Sequence, residues 1–241
     1  MALCQTYWHG ATPCRSGSGV DPPGPARQGA RVSAERTDQP GHDVAWWDAK
    51  HRDRPVHDDV DPSVRAACLP LAAAARPGGA VDLACGTGRH ARWLAQRGWD
   101  VVGVDSSPGG LEVAARAARE QGVGQRCRWV AADARTWQPE APVALVVVAF
   151  VALPRLVERA AQWLVPGGRV VVVGHALANA SRGVGGPRDP RLLHDAAALR
   201  RGARAAGLRV RLAAEVERPV VWDDGERRVQ VDAVLVADRP A

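Results

Sequence analysis

Lysine is almost missing from this chain. Lys50 is the only one among 32 basic residues, so the net charge of +6 is carried by arginine. The arginines are scattered among Ala, Gly and Pro, which reads as a compositional bias and not as an electrostatic footprint for nucleic acid. The nearest cluster, Arg200, Arg201 and Arg204, falls on one predicted helix and suits a solvated face. Cys4, Cys14, Cys68, Cys85 and Cys127 are odd in number and contain no C-x-x-C pair, which excludes a disulfide framework and a cysteine zinc site. No His/Cys/acid cluster has ligand spacing, so no metal is expected. No apolar run is long enough to span a bilayer. The N-terminus lacks a basic region followed by an apolar core, so no secretory signal is read. A cytoplasmic protein is expected.

What remains is an ordinary globular composition, 46% apolar and 24% charged over 241 residues, enough for one sizeable domain. Residues 1–43 stand apart. "RSGSGVDPPGPARQGARVSAERTDQPGHD" is rich in Pro, Gly, Ser and charge and has no periodicity, so a disordered tail is expected ahead of a domain over 44–241. Ordered sequence begins near "AWWDAKHRDRP". Asp61-Pro62 reads as a helix start, and the helix should run through "SVRAACLPLAAAAR".

Strands and helices then alternate. Strands are predicted at 80–84, 100–105, 127–133, 143–150 and 169–175, and helices at 89–98, 108–122 and 154–165. Ser107 is the predicted N-cap of the second of these helices, and Pro166-Gly167-Gly168 the stop of the third. "VALVVVAF" (143–150) is apolar throughout, as suits a central parallel strand covered on both faces. A Gly-rich loop spans 176–191 and a helix about 195–206. Strands 208–221 and 228–238 form a terminal hairpin turned at Asp224-Gly225. The pattern implies an α/β fold: an open, doubly wound, mostly parallel sheet with one antiparallel strand. Ligands in such sheets bind at the carboxyl ends of the strands. That rule selects residues 84–90, 105–106, 132–134, 149–152 and 175–191.

The stretch "VDLACGTGRH" carries the chemistry. Gly86 and Gly88 let backbone approach a ligand closely. Asp105 ends the second strand 17 positions after Gly88, where an acid accepts hydrogen bonds from ribose hydroxyls. Asp133 ends the third, where a carboxylate accepts from the exocyclic amine of adenine. A P-loop is excluded because no Gly-Lys-Ser/Thr follows. Ala91 at the third fingerprint position leaves a dinucleotide open, but Asp82 before the turn would repel a pyrophosphate. An acid there suits a ligand carrying an ammonium and a sulfonium, and S-adenosylmethionine has both.

"VDLACGTGRHARWLAQRGWDVVGVDSSP", "VAADARTW" and "LVPGGRVVVVGH" together resemble the class I S-adenosylmethionine-dependent methyltransferases. "GVGGPRDPRLLHDAAAL", with "WWDAKH" upstream, is similar to a bacterial subgroup related to tellurite-resistance and thiopurine methyltransferases. The resemblance covers about residues 45–240 and implies a seven-stranded sheet in the order 3-2-1-4-5-7-6 with strand 7 antiparallel. It implies that Ala84, Cys85, Gly86 and Gly88 hold the methionine part of the cofactor, Asp105 and Ser106 the ribose, and Asp133 and Ala134 the adenine. It also implies an Ala149 carbonyl on the methionine ammonium. Relatives often carry an acid where Ala144 stands and His where Ala152 stands; the second departure removes a polar group from the acceptor side. The Asn/Asp-Pro-Pro-Tyr/Phe motif of base and glutamine methyltransferases is absent, since the strand ends in "AFVALP".

Several side chains carry two readings. Cys85 is a small residue in a tight turn or a nucleophile. Trp46 and Trp47 cover the ligand, or anchor the N-terminal segment. His175, at the end of the fifth strand, is a base or substrate ligand, or anchors a loop. Arg182 and Arg188 clamp an anionic substrate, or are solvated loop charge. His194 reads as structural. The function expected is methyl transfer to a small-molecule S, O, N or chalcogen nucleophile. The alternatives are a non-catalytic S-adenosylmethionine-binding protein of the same fold, an RNA methyltransferase and an NAD-dependent enzyme.

Overall fold

The computed structural model describes residues 31–32, 43–53, 56, 58–72, 79–222 and 224–241. Seven strands form the body of one sheet: β1 (Ala80–Leu83), β2 (Val101–Asp105), β3 (Cys127–Ala131), β4 (Val143–Ala149), β5 (Leu164–His175), β6 (Arg209–Trp222) and β7 (Arg227–Asp238). Their order is β3-β2-β1-β4-β5-β7-β6, with β7 antiparallel to both its neighbours, as the family resemblance implies. The two-residue strand Arg31–Val32 adds to the outer edge, parallel to β6. It comes from the segment without periodicity, and two residues are too few to carry one. The rest of the expected tail, up to residue 42, lies outside the described residues.

Seven helices accompany the sheet among the described residues: α1 (Val44–Asp53), α2 (Pro62–Ala72), α3 (Arg89–Ala95), α4 (Pro108–Glu120), α5 (Leu156–Trp163), α6 (Asn179–Arg182) and α7 (Ala196–Ala205). None is long and apolar enough to cross a membrane. The continuous apolar run of β4 is explained by its alternation. Leu145 and Val147 pack with Val64, Cys68 and Leu71 of α2 and Ala91 and Leu94 of α3. Val146 and Val148 face the opposite way, onto Leu156 and Ala160 of α5 and Ala203 of α7. The strand is buried from Val143 through Val148, which fixes where its carboxyl end opens.

Local chemistry sets the element ends. The Ser107 hydroxyl accepts the Gly110 amide and caps α4, with Pro108 at its first position. Gly225 adopts a left-handed φ of 84° in the terminal hairpin. The Pro166-Gly167-Gly168 stop behaves differently from its reading. α5 ends at Trp163 and β5 begins at once, at Leu164 rather than Arg169. The three residues form a bulge between the pairs Val143–Leu164 and Leu145–Arg169. Gly167 donates to the Arg239 carbonyl and Arg239 to the Gly168 carbonyl, so contacts from beyond β7 turn a helix breaker into strand.

Asp195 caps α7 by accepting the Ala197 amide at 2.8 Å. Asp195→Ala is expected to cost about 1 kcal/mol. For a chain of this size that lowers the melting temperature by roughly 2–4 °C, readable by calorimetry.

Candidate active site

β1 delivers the chain into a tight turn. Ala84, Gly86 and Gly88 all take left-handed φ, at 57°, 54° and 73°. Trp129 of β3 lies underneath: a Cβ on Gly88 would meet its ring at 2.5 Å, and one on Gly103 at 2.4 Å. Three amides around the turn are spent inside the protein. Gly86 donates to the Asp105 carboxylate at 2.8 Å, Gly88 to the Cys85 carbonyl at 2.9 Å, and Ala91 to the Asp82 carboxylate at 3.0 Å. A pyrophosphate site needs such amides free to point at the ligand.

Asp82 is 1% exposed and lies beneath the turn, not on the cleft wall. Its Oδ1 has no hydrogen-bond partner among the described residues. Burial pushes its carboxyl up to about 7, partly offset by the Ala91 amide and the Arg89 charge. Because the folded value exceeds the unfolded one, the stability linked to Asp82 is complete below about pH 4 and is lost as pH rises toward 7. Asp82→Asn keeps an acceptor for Ala91 and carries no charge. Its stability relative to the native chain should therefore rise between about pH 5 and pH 8, by a few kcal/mol at most. Paired denaturant melts across that range read the difference.

The other predicted cofactor residues lie at the same sheet end. Asp105, 8% exposed, accepts Gly86 with one oxygen and the Ser107 amide with the other, at 2.9 Å. Each oxygen keeps a lone pair for a ligand hydroxyl. Ser106 is half-buried beside it. Asp133 is held by Arg135 through both carboxylate oxygens at 3.0 Å, which keeps its carboxyl below the usual range. An adenine amine would share that acceptor with an exposed pair worth little on its own. Ala134 is buried, and its carbonyl accepts from Arg159. Ala149 ends β4, and Phe150 follows at a left-handed φ of 60°, a strained position for an aromatic residue. Cys85 is buried and its thiol is raised well above its ordinary value by burial, so it stays in the unreactive neutral form.

α1 covers the turn. His51 faces it, with Nε2 3.2 Å from where a Gly86 Cβ would stand. Asp48 accepts the Gly109 amide at 2.6 Å and the Ser107 hydroxyl at 2.9 Å, pinning α1 to the start of α4. Trp47 stacks on His51 at 5.6 Å and packs edge-on to Trp46, with Lys50 over both rings. The tryptophans thus support the covering helix, and the contact with the turn falls to His51, which the sequence did not single out. Its signal was spacing: Trp47, Asp48, His51 and Arg52 recur at helical neighbours.

A second polar group sits at the carboxyl end of β5. His175 and Asp232 are register partners across β5 and β7. The imidazole Nδ1 lies 3.1 Å from Asp232 Oδ1, with side-chain exposures of 15% and 3%. Arg218 of β6 donates to Asp232 at 2.6 Å and to Gln230 at 2.7 Å. Phe150 packs against His175 at 5.3 Å, and Arg89 and Arg218 approach its ring at 5.4 and 5.3 Å. The loop-anchoring reading of His175 is thereby replaced by a buried carboxylate partner. Asp232 went unnoticed because pairing between strands far apart in sequence depends on register. The in-phase polar pair Gln230 and Asp232, within "VQVDAVLVA", marked it.

The arginine clamp is not assembled. Arg182 pairs with Glu215, and Arg188 donates to the Ala180 carbonyl, so both tie down the loop. His194 Nε2 donates to the Val151 carbonyl at 3.1 Å, a structural role. An open groove of about 370 Å³ is lined by Ala152–Glu158 and by residues between Arg191 and Gly202. It includes neither the glycine turn nor His175. No cluster of three metal-ligating side chains occurs among the described residues.

Comparisons agree with this geometry. Residues 80–168 match the family model described as a methyltransferase domain. A trans-aconitate 2-methyltransferase from Streptomyces avermitilis is 37% identical over 128 residues, 50% of this chain and 45% of that protein. The match thus spans under half the length of that relative. TehB from Haemophilus influenzae superposes with a TM-score of 0.59 over 75% of this chain and 62% of that one, at 14% identity. The CcbJ methyltransferase from Streptomyces caelestis does so with 0.59 over 83% and 100%, at 22% identity. Residues 80–168 are thus similar to methyltransferase domains, and the solved structures share the fold.

Proposed function

We propose that the chain, through a domain over 44–241, transfers a methyl group from S-adenosylmethionine to a small-molecule acceptor. The observation that carries this is the pair of strand-end carboxylates: Asp105 fastens Gly86 and the Ser107 amide and keeps a lone pair on each oxygen, and Asp133 stands just beyond β3. Such a site offers acceptors to the hydroxyls and amine of a nucleoside. Asp105 and Ser106 would hold the ribose, Asp133 and Ala134 the adenine, and the Ala149 carbonyl the ammonium. Ala84, Cys85, Gly86 and Gly88 would line the methionine part, with Asp82 adding its field from below. The ligand, when bound, supplies a methyl group already activated on a sulfonium, so the protein mainly positions the acceptor.

Two features favour a small acceptor. Arg182 and Arg188 are committed within the protein, so they offer no track for a phosphate backbone. The matched relative is named for trans-aconitate, a small molecule. Ala152 leaves no polar side chain directly after β4, and the polar group on the acceptor side comes from β5 and β7 instead.

The test is release of S-adenosylhomocysteine from methyl-labelled S-adenosylmethionine. The panel comprises thiols, phenols, carboxylates, amines and chalcogenides, with an RNA arm. Transfer to one small-molecule class is expected. Turnover on RNA alone, with binding that weakens as salt rises, would contradict the reading.

A further inference from the structure

We propose that His175 takes the proton from a neutral hydroxyl acceptor, positioned for that role by Asp232, and that the substrate class is therefore alcohols or phenols. This rests on the methyltransferase reading above. Asp232 lies opposite His175 in the antiparallel register and faces its Nδ1 at 3.1 Å. A hydrogen on Nδ1 shared with a buried carboxylate leaves Nε2 with its lone pair, the form a proton acceptor needs. Asp232 is itself fixed by Arg218, which also holds Gln230 on the same face of β6 and β7. The Gly186 backbone lies against the far edge of the imidazole, an approach only glycine permits. A Cβ on Gly186 would fall 2.7 Å from Cδ2 and 2.9 Å from Nε2, and Gly186 has a φ of 71°.

The surroundings select the acceptor. Phe150 immediately follows β4 and lies 5.3 Å from the imidazole, so His175 stands one ring away from the strand end that carries Ala149. Arg89 follows the glycine turn and, with Arg218, approaches the Phe150 ring. The charged and titratable groups around His175 are Asp232 from β7, Arg218 from β6, His194 after the loop, Asp61 before α2 and Arg89 at α3. Arg218 is paired with Asp232 and Asp61, so Arg89 is the guanidinium left to stabilise a developing oxyanion. Carboxylates, ionised at neutral pH, have no proton for His175 to take, and thiols, with a pKa of about 8.5, need a base less than phenols or alcohols do. In the step, the acceptor oxygen bonds to the methyl carbon and the carbon–sulfur electron pair stays on sulfur, leaving a thioether. The hydroxyl proton passes to Nε2, and the imidazolium formed is paired with Asp232 until it releases that proton to water.

The experiment is nitrogen NMR of the native full chain, labelled in histidine and saturated with S-adenosylhomocysteine, across about pH 6–9. Turnover on a panel of alcohols, phenols, thiols and carboxylates is measured on the same preparation. His175 should show hydrogen on Nδ1 and a bare Nε2 at the alkaline end. Asp232→Asn should shift the tautomer toward hydrogen on Nε2. His175→Gln should lower turnover of the hydroxyl compounds by about 10²–10⁴-fold, with the loss in kcat. Its affinity for S-adenosylhomocysteine should stay within about twofold, by calorimetry. A hydrogen on Nε2 in the native chain, or transfer confined to thiols or carboxylates, would overturn this proposal alone. Failure of the native chain to bind S-adenosylhomocysteine would overturn the methyltransferase reading and this proposal with it.

Discussion

Asp105→Ala is expected to weaken S-adenosylhomocysteine binding by at least about 100-fold, because two hydrogen bonds from ribose hydroxyls to a carboxylate each contribute roughly 1.5–3 kcal/mol. The same change frees the Gly86 and Ser107 amides, which now donate to Asp105 at 2.8 and 2.9 Å. The glycine turn and the start of α4 are therefore loosened together. Asp105→Asn separates the two effects. It keeps an oxygen for one amide and removes the charge, so it should retain more of the fold than of the affinity. Calorimetric titration gives the affinity, and circular dichroism shows that the variants remain folded. Unchanged affinity in Asp105→Ala would remove the ribose assignment.

The largest stability effect is expected at Gly88. Its φ of 73° already disfavours any side chain, and an added Cβ would stand 2.5 Å from Trp129 and 3.0 Å from the Ala114 methyl. Gly88→Ala should cost roughly 2–4 kcal/mol from backbone strain and overpacking. The melting temperature should then fall by about 5–15 °C. Trimming the partner tests the cause. Gly88→Ala combined with Trp129→Leu should lose less than the two single changes summed, since the clash disappears while the strain remains. Strict additivity in that cycle would mean that the indole does not press on the turn.

Much of the architecture was legible because it is written in local signals. β4 reads as buried on both faces from "VALVVVA" alone, and the fold packs its alternate residues onto opposite helical layers. Ser107 reads as a cap from its place before Pro108, and its hydroxyl accepts Gly110. The unread features depend on contacts distant in sequence. Trp129 explains Gly88 and Gly103, but nothing local says that a β3 indole passes beneath both. His175 needed a partner that only the register of β5 against β7 could supply. Asp82 reads as a ligand-facing acid from its position, whereas the pleat turns it beneath α3 to accept Ala91. Arg182 and Arg188 look like free cations in a glycine-rich loop, and folding gives each an internal acceptor.

Crystals soaked with S-adenosylhomocysteine would put the central claim to the most direct test. A nucleoside gripped by strand-end carboxylates requires density for the ribose within hydrogen-bond distance of Asp105 and for the adenine beside Asp133 and Ala134. Density for the ligand elsewhere, with the space next to Asp105 left to solvent, would contradict it.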